Sequence, residues 1–160
     1  AHLAIALAHK AVQHRYKVRF TTTADLLMQL SNAKKNKRYE SFIKQTIMSP
    51  SLLIIDEIGY FPMTKEDAHH FFQVISKRYE RGATIVTSNL VFSQWSGIFA
   101  NDKVVTTAIL DRLLHHSHII NIQGNSYRLK EKKEAGLQEM DLFKIGKKKR
   151  SSEPSDEPVA

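Results

Sequence analysis

The 160-residue sequence predicts an α/β domain built on a mostly parallel sheet. Three observations carry that expectation. Helical and strand-like patterns alternate along the chain. Apolar residues make up 42% and charged residues 25%, the balance of a globular domain of ordinary size. Residues 50–58, "PSLLIIDEI", put four consecutive aliphatics behind a turn signal, as in strands buried on both faces of a parallel sheet.

The elements follow in order. Leu3 to about His14 is small and aliphatic nearly all round, which predicts a helix packed deep in the structure. "KVRFTTT" (17–23) alternates and is rich in β-branched and aromatic residues, so it reads as a strand. Asp25 to Leu30 suits a short helix, followed by an exposed basic stretch from Asn32 to Lys44. "LLIIDE" is the second strand. Thr64 caps the next helix, with Glu66 and Asp67 in its first turn. Ala68, Phe71, Phe72, Ile75 and Tyr79 then recur at helical spacing, with Gly82 as the stop. "ATIVTSN" (83–89) is the third strand, Thr106 to His115 a helix, and "HIINI" (118–122) a short fourth strand. From about residue 144 the apolar pattern ends. The expected organisation is a folded core over 1–143 and a disordered charged tail over 144–160.

Composition excludes several classes. Without cysteine there are no disulfides or thiolate metal sites, which suits a cytoplasmic chain. No apolar run approaches the roughly 18 residues that cross a bilayer, so no membrane association is expected. The apolar opening also lacks a basic leader, which argues against a secretory signal. The net charge of +8 favours a polyanionic partner such as nucleic acid. Part of the excess is local, at Lys34, Lys35, Lys37 and Arg38 and again at 147–150, and short basic runs are often simply solvated.

The chemistry centres on Asp56 and Glu57. Ligands of open parallel sheets bind beyond the carboxyl ends of the strands, which is where this pair falls. Two readings fit: two solvated acids at a strand end, or the acid half of a nucleoside triphosphate site, with Asp56 in the Mg²⁺ shell and Glu57 polarising water. Asn89 ends the next strand and either orients a water beside the acids or opens a turn. Arg112 lies on the helical arc of Val105, Ala108 and Ile109. It either snorkels along its stem or reaches an anion, as an interface arginine completing a neighbour's phosphate site would. Arg128, in "NSYRLK", is a second isolated cation, or an ordinary strand-edge charge. No HExxH groups the eight histidines and no GxSxG is present. The phosphate-gripping motif GxxxxGK[ST] is also missing: none of the six glycines opens one.

"HLAIALAHKAV", "VRFTTTADLL", "LLIIDEIGYFP", "TIVTSNLVFSQW" and "AILDRLLHHSHIINIQGNSYRLKE" together resemble the IstB-type transposition helper ATPases, AAA+ proteins of insertion sequences similar to DnaC-type helicase loaders. The resemblance implies a P-loop NTPase (AAA+) three-layer sandwich lacking its first strand and phosphate loop, with Ala1 where the Mg²⁺-binding hydroxyl residue stands. It implies ATP and Mg²⁺ as cofactors, with Asp56 holding the metal through water, Glu57 activating water and Asn89 as polar sensor. Arg112 is then the finger acting on an adjacent subunit, and Arg128 a sensor within its own. The implied function is an ATP-binding helper that assembles on double-stranded DNA and assists a cognate transposase, here as an incomplete copy with impaired ATP binding. A DNA-binding remnant without nucleotide chemistry and a replicative helicase loader are the alternatives. In such a fold the missing strand would lie between the third and fourth strands. Residues 118–122 are therefore expected to pair poorly or to close directly onto 83–89.

Overall fold

The structure, a computed structural model, describes residues 1–123. The chain divides into two units, Ala1–Ile119 and Ile120–Ala160. Of the second unit residues 120–123 are described, and they carry no regular secondary structure. The expected boundary after residue 143, the charged tail and Arg128 lie outside the described residues.

The first unit alternates as predicted. Helix α1 (His2–Gln13) leads to β1 (Val18–Thr22), α2 (Thr23–Lys35) and the short α3 (Tyr39–Phe42), which runs into a π-turn at Ile43–Ile47. Strand β2 (Leu52–Ile58), α4 (Lys65–Arg78) and β3 (Ala83–Ser88) follow. A 3₁₀ turn at Phe92–Gln94, α5 (Trp95–Ile98) and α6 (Lys103–Leu114) complete the unit. The three strands form one parallel sheet in the order β1-β2-β3, so the apolar run is the central strand.

Its four aliphatics divide between two cores because side chains alternate across a strand. Leu52 and Ile54 meet Ala4, Ala8 and Ala11 of α1, whereas Leu53 and Ile55 enter the larger core with Leu26, Leu30, Phe71, Val74, Phe99 and Ile109. Helices thus cover both sheet faces, giving three layers. Burying each such side chain stabilises the fold by about 1.5–3 kcal/mol, which accounts for the unbroken aliphatic run ahead of Asp56.

Several expectations need correction. Helix α1 is not deeply buried. Ala4 is its one buried residue, and Leu3, Ile5, Leu7 and Val12 are 41–57% exposed. Its alanines at i, i+4 and i+7 face the sheet, and the larger side chains flank that stripe with nothing over them among the described residues. Helix α2 is longer than expected, because the Thr22 hydroxyl accepts the Asp25 N–H and starts it at Thr23. It absorbs Lys34 and Lys35 into its last turn. The basic stretch is not uniformly exposed either, since Ile43 in the π-turn is buried.

Thr64 caps α4 as predicted, in a reciprocal capping box with Asp67. Gly82 is not the stop: α4 ends at Arg78, and Glu80 takes the left-handed conformation at φ 56°. Helix α6 starts at Lys103 rather than Thr106, because the Asp102 carboxylate accepts the Val104 and Val105 N–H groups. Residues 118–122 are not a strand. Of the two expected outcomes the poor pairing is the one found: these residues have no strand partner among the described residues, and Ile119 is 64% exposed.

Candidate functional site

The site is built at the carboxyl end of β2. Parallel register sets Thr22 of β1 beside Asp56, and Ile55 beside Val86 of β3. The next β2–β3 pair is Ile58 with Ser88, so one extra β2 residue is accommodated and the strand bulges at the acid pair. Glu57 absorbs the bulge at φ 65°, an uncommon conformation for a residue with a Cβ. Consecutive strand residues normally point to opposite faces. At the bulge Asp56 is buried and the Glu57 side chain is exposed.

Asp56 is held from several directions. Its main-chain oxygen accepts the buried Thr23 hydroxyl at 2.9 Å. Its Oδ1 accepts the Thr87 hydroxyl. The Thr87 oxygen in turn accepts the Glu57 N–H at 3.2 Å, so one threonine of β3 ties both acids together. A 6%-exposed carboxylate needs such partners, because burying it without them is costly. The Ala1 nitrogen lies 3.9 Å from Asp56 Oδ1, which brings the opening turn of α1 to the acids.

Gly59, at φ 102°, carries the chain away from the acids. A Cβ there would come within 2.8 Å of Leu90 and 3.2 Å of Asn89 Oδ1. The structure therefore brings Asn89 beside Gly59, in the segment following the acid pair, and the third strand ends one residue short of it, at Ser88. Ser88 secures this corner by donating to the Ile58 carbonyl at 2.7 Å.

Arg112 is not brought into this cluster. Its guanidinium donates to the Ala108 carbonyl at 2.9 Å and lies 4.9 Å from the centre of the Phe72 ring, so within this chain it packs along α4. Among the basic candidates Lys34 pairs with Glu66 at 2.8 Å. Lys35, Lys37 and Arg38 are exposed and have no acidic partner among the described residues.

Sequence reasoning missed Thr23 and Thr87. The available signal was register: Thr87 sits two residues before Asn89 in a strand whose end was already matched to the acids. It also missed Arg78, whose buried guanidinium makes five hydrogen bonds, to the carbonyls of Ile47, Pro50, Ser51 and Ala83 and to the Thr84 hydroxyl. That residue fastens the starts of β2 and β3 at the end of the sheet remote from the acids.

A three-layer fold with an acid pair at the carboxyl end of its central parallel strand is that of the AAA+ P-loop proteins. The DnaC helicase loader is similar in structure, with a TM-score of 0.56 and 19% identity over 69% of this chain and 67% of that one. The family model of IstB-like ATP-binding proteins matches residues 1–135, and the chain belongs to that family. A protein of Pseudomonas aeruginosa, named for insertion sequence IS21 and for ATP binding, is 48% identical over 136 residues, covering 85% of this chain and 51% of the relative. Its counterpart from insertion sequence IS5376 of Geobacillus stearothermophilus is 46% identical over 82% of this chain and 52% of its own length. The chain thus spans about half the length of the curated relatives it matches.

Proposed function

We propose that these residues supply the acid half of an ATP site in an insertion-sequence helper that works on double-stranded DNA with a transposase. The observation that carries this reading is the bulge at Asp56 and Glu57. There one acid is a fixed, buried carboxylate and its neighbour an exposed one, the division of labour the chemistry needs. Their oxygens are hard donors of the kind Mg²⁺ takes through retained waters, so the residues present fit that ion.

In this reading Asp56, held by Thr87, would bind the ion through water, and Glu57 would take a proton from water. Asn89 positions that water through its amide. Arg112 serves a neighbouring copy of the chain. Arg128 acts within its own subunit. Lys35, Lys37 and Arg38 meet DNA phosphates, with Lys34 joining them when it leaves Glu66. ATP with Mg²⁺ would be the nucleotide with which the protein assembles on DNA, its γ-phosphoryl group the one transferred to water.

The 160 residues contain no GxxxxGK[ST] loop, and backbone amides of that loop make much of the grip on the phosphates. By themselves they bind ATP weakly. Titration of a fluorescent ATP analogue with Mg²⁺ tests both parts. Weak, Mg²⁺-dependent binding is expected, lost in Asp56→Ala and kept in Glu57→Gln. Binding that ignores Asp56→Ala would remove the acid pair from the site. Tight binding abolished by Asp56→Ala would overturn the weak-binding half of the reading.

A further inference from the structure

We propose that Glu80, His115 and His116 form a surface site for a borderline divalent transition metal such as Zn²⁺, joining the turn after α4 to the end of α6. One ligand atom from each residue lies within 4.8 Å of the other two. Donors bound to zinc at about 2.0–2.1 Å in a tetrahedron stand roughly 3.3 Å apart. His116 Nε2 and Glu80 Oε1 already stand 3.3 Å apart. The remaining adjustment is about an ångström or less per donor for side chains that are all exposed.

Local geometry prepares the donors. The left-handed turn at Glu80 brings its carboxylate to His116. Consecutive His115 and His116 are not splayed apart as neighbours within a helix would be. They lie past the last helical residue, with ring centres 4.0 Å apart. The Tyr79 hydroxyl meets His115 Nδ1, and its ring stacks on that imidazole with centres 5.9 Å apart. With the proton on Nδ1, the Nε2 lone pair of His115 is free for a metal, and Tyr79 plays the orienting part that hydrogen-bond partners of metal-binding histidines usually play. Two imidazoles and one carboxylate select zinc-like ions over Mg²⁺ and Ca²⁺, and three protein ligands leave a position for water.

The site is independent of the acid pair, whose oxygens prefer the harder ions. Calorimetric titration of the chelator-treated chain with Zn²⁺, in excess Mg²⁺ to occupy hard-oxygen sites, tests it, with Co²⁺ as a spectroscopic probe. One saturable site is expected, accompanied by a rise in Tm. Glu80→Gln and His116→Gln should each weaken it about tenfold or more, Tyr79→Phe about tenfold, and His69→Gln not at all. Both ligand variants change exposed side chains, so their metal-free melting should match the parent. Absence of saturable binding overturns the assignment, as does binding unchanged in either ligand variant or displaced by Mg²⁺.

Discussion

Arg78→Met tests whether one buried cation holds the amino ends of β2 and β3 together. The wild-type guanidinium is 3% exposed. It donates at 2.6 Å to Ile47 O, 3.0 Å to Pro50 O, 3.3 Å to Ser51 O and 2.6 Å to Ala83 O, with Nε 3.0 Å from the Thr84 hydroxyl. Methionine keeps the stem and removes every donor. Ser51 O still accepts the Ala83 N–H at 3.1 Å, so the loss falls most heavily on the Ile47 and Pro50 carbonyls. A buried carbonyl left without its partner costs about 1–3 kcal/mol. Removing a charge from the interior returns part of that, because its own desolvation disappears. The net expectation is a loss of about 2–3 kcal/mol, or a Tm drop on the order of 10 °C for a domain of this size.

Gly82 makes that prediction sharper. A Cβ at Gly82 would stand 2.6 Å from Arg78 Nη2 and 3.0 Å from its Cζ. Gly82 does not hold a left-handed φ, so alanine fits its backbone and clashes only with the guanidinium. In the wild type Gly82→Ala should cost about 1–3 kcal/mol by displacing Arg78. In the Arg78→Met background it should be neutral or stabilise by up to about 1 kcal/mol, through the reduced entropy of the unfolded chain. Urea unfolding of the four proteins gives the coupling directly. Additive effects, or an Arg78→Met variant within about 0.5 kcal/mol of wild type, would falsify the role assigned to Arg78.

The remaining predictions concern the acid site and acid stability. Thr87→Val is nearly isosteric and removes the hydroxyl shared by Asp56 and Glu57; it should destabilise by about 1–3 kcal/mol in urea, and a loss below about 0.5 kcal/mol would show that Asp56 is held without it. His70 is 3% exposed, with Nδ1 3.2 Å from the Tyr39 hydroxyl and Nε2 3.6 Å from Glu66. Burial first, and Lys34 next, push its imidazole below its usual 6.5. The unfolded chain therefore takes up that proton before the folded one, so stability falls as pH drops below about 6.5 and stops falling once the folded imidazole is protonated. His70→Phe should flatten the Tm profile in that window, and identical slopes in both proteins would place the acid sensitivity elsewhere.

Local signals made much of this fold legible. The run Leu52–Ile55 announced a strand buried on both faces, and Thr64 with Asp67 announced a helix start, because each depends on residues close in sequence. Periodicity fared worse at α1, where a helix apolar on every side buries one residue. Small side chains and large ones look alike to an apolar count, yet only the alanines can approach the sheet closely. The pattern "HIINI" suits a strand, but strands exist by pairing, and no neighbour is offered to it among the described residues.

The sequence by itself determined the alternation of elements, the central place of β2 and, through collinear motifs, the family. Tertiary structure alone decided how the acids are presented. The bulge depends on a register between strands about thirty residues apart, and that register sets Thr87 against both Asp56 and Glu57. It likewise decided that Arg78 gathers carbonyls from three segments, and that Glu80 meets two histidines more than thirty positions away. Each is a meeting of polar groups distant in sequence, chosen by the packing of the elements that carry them, and no pattern along the chain encodes such a meeting.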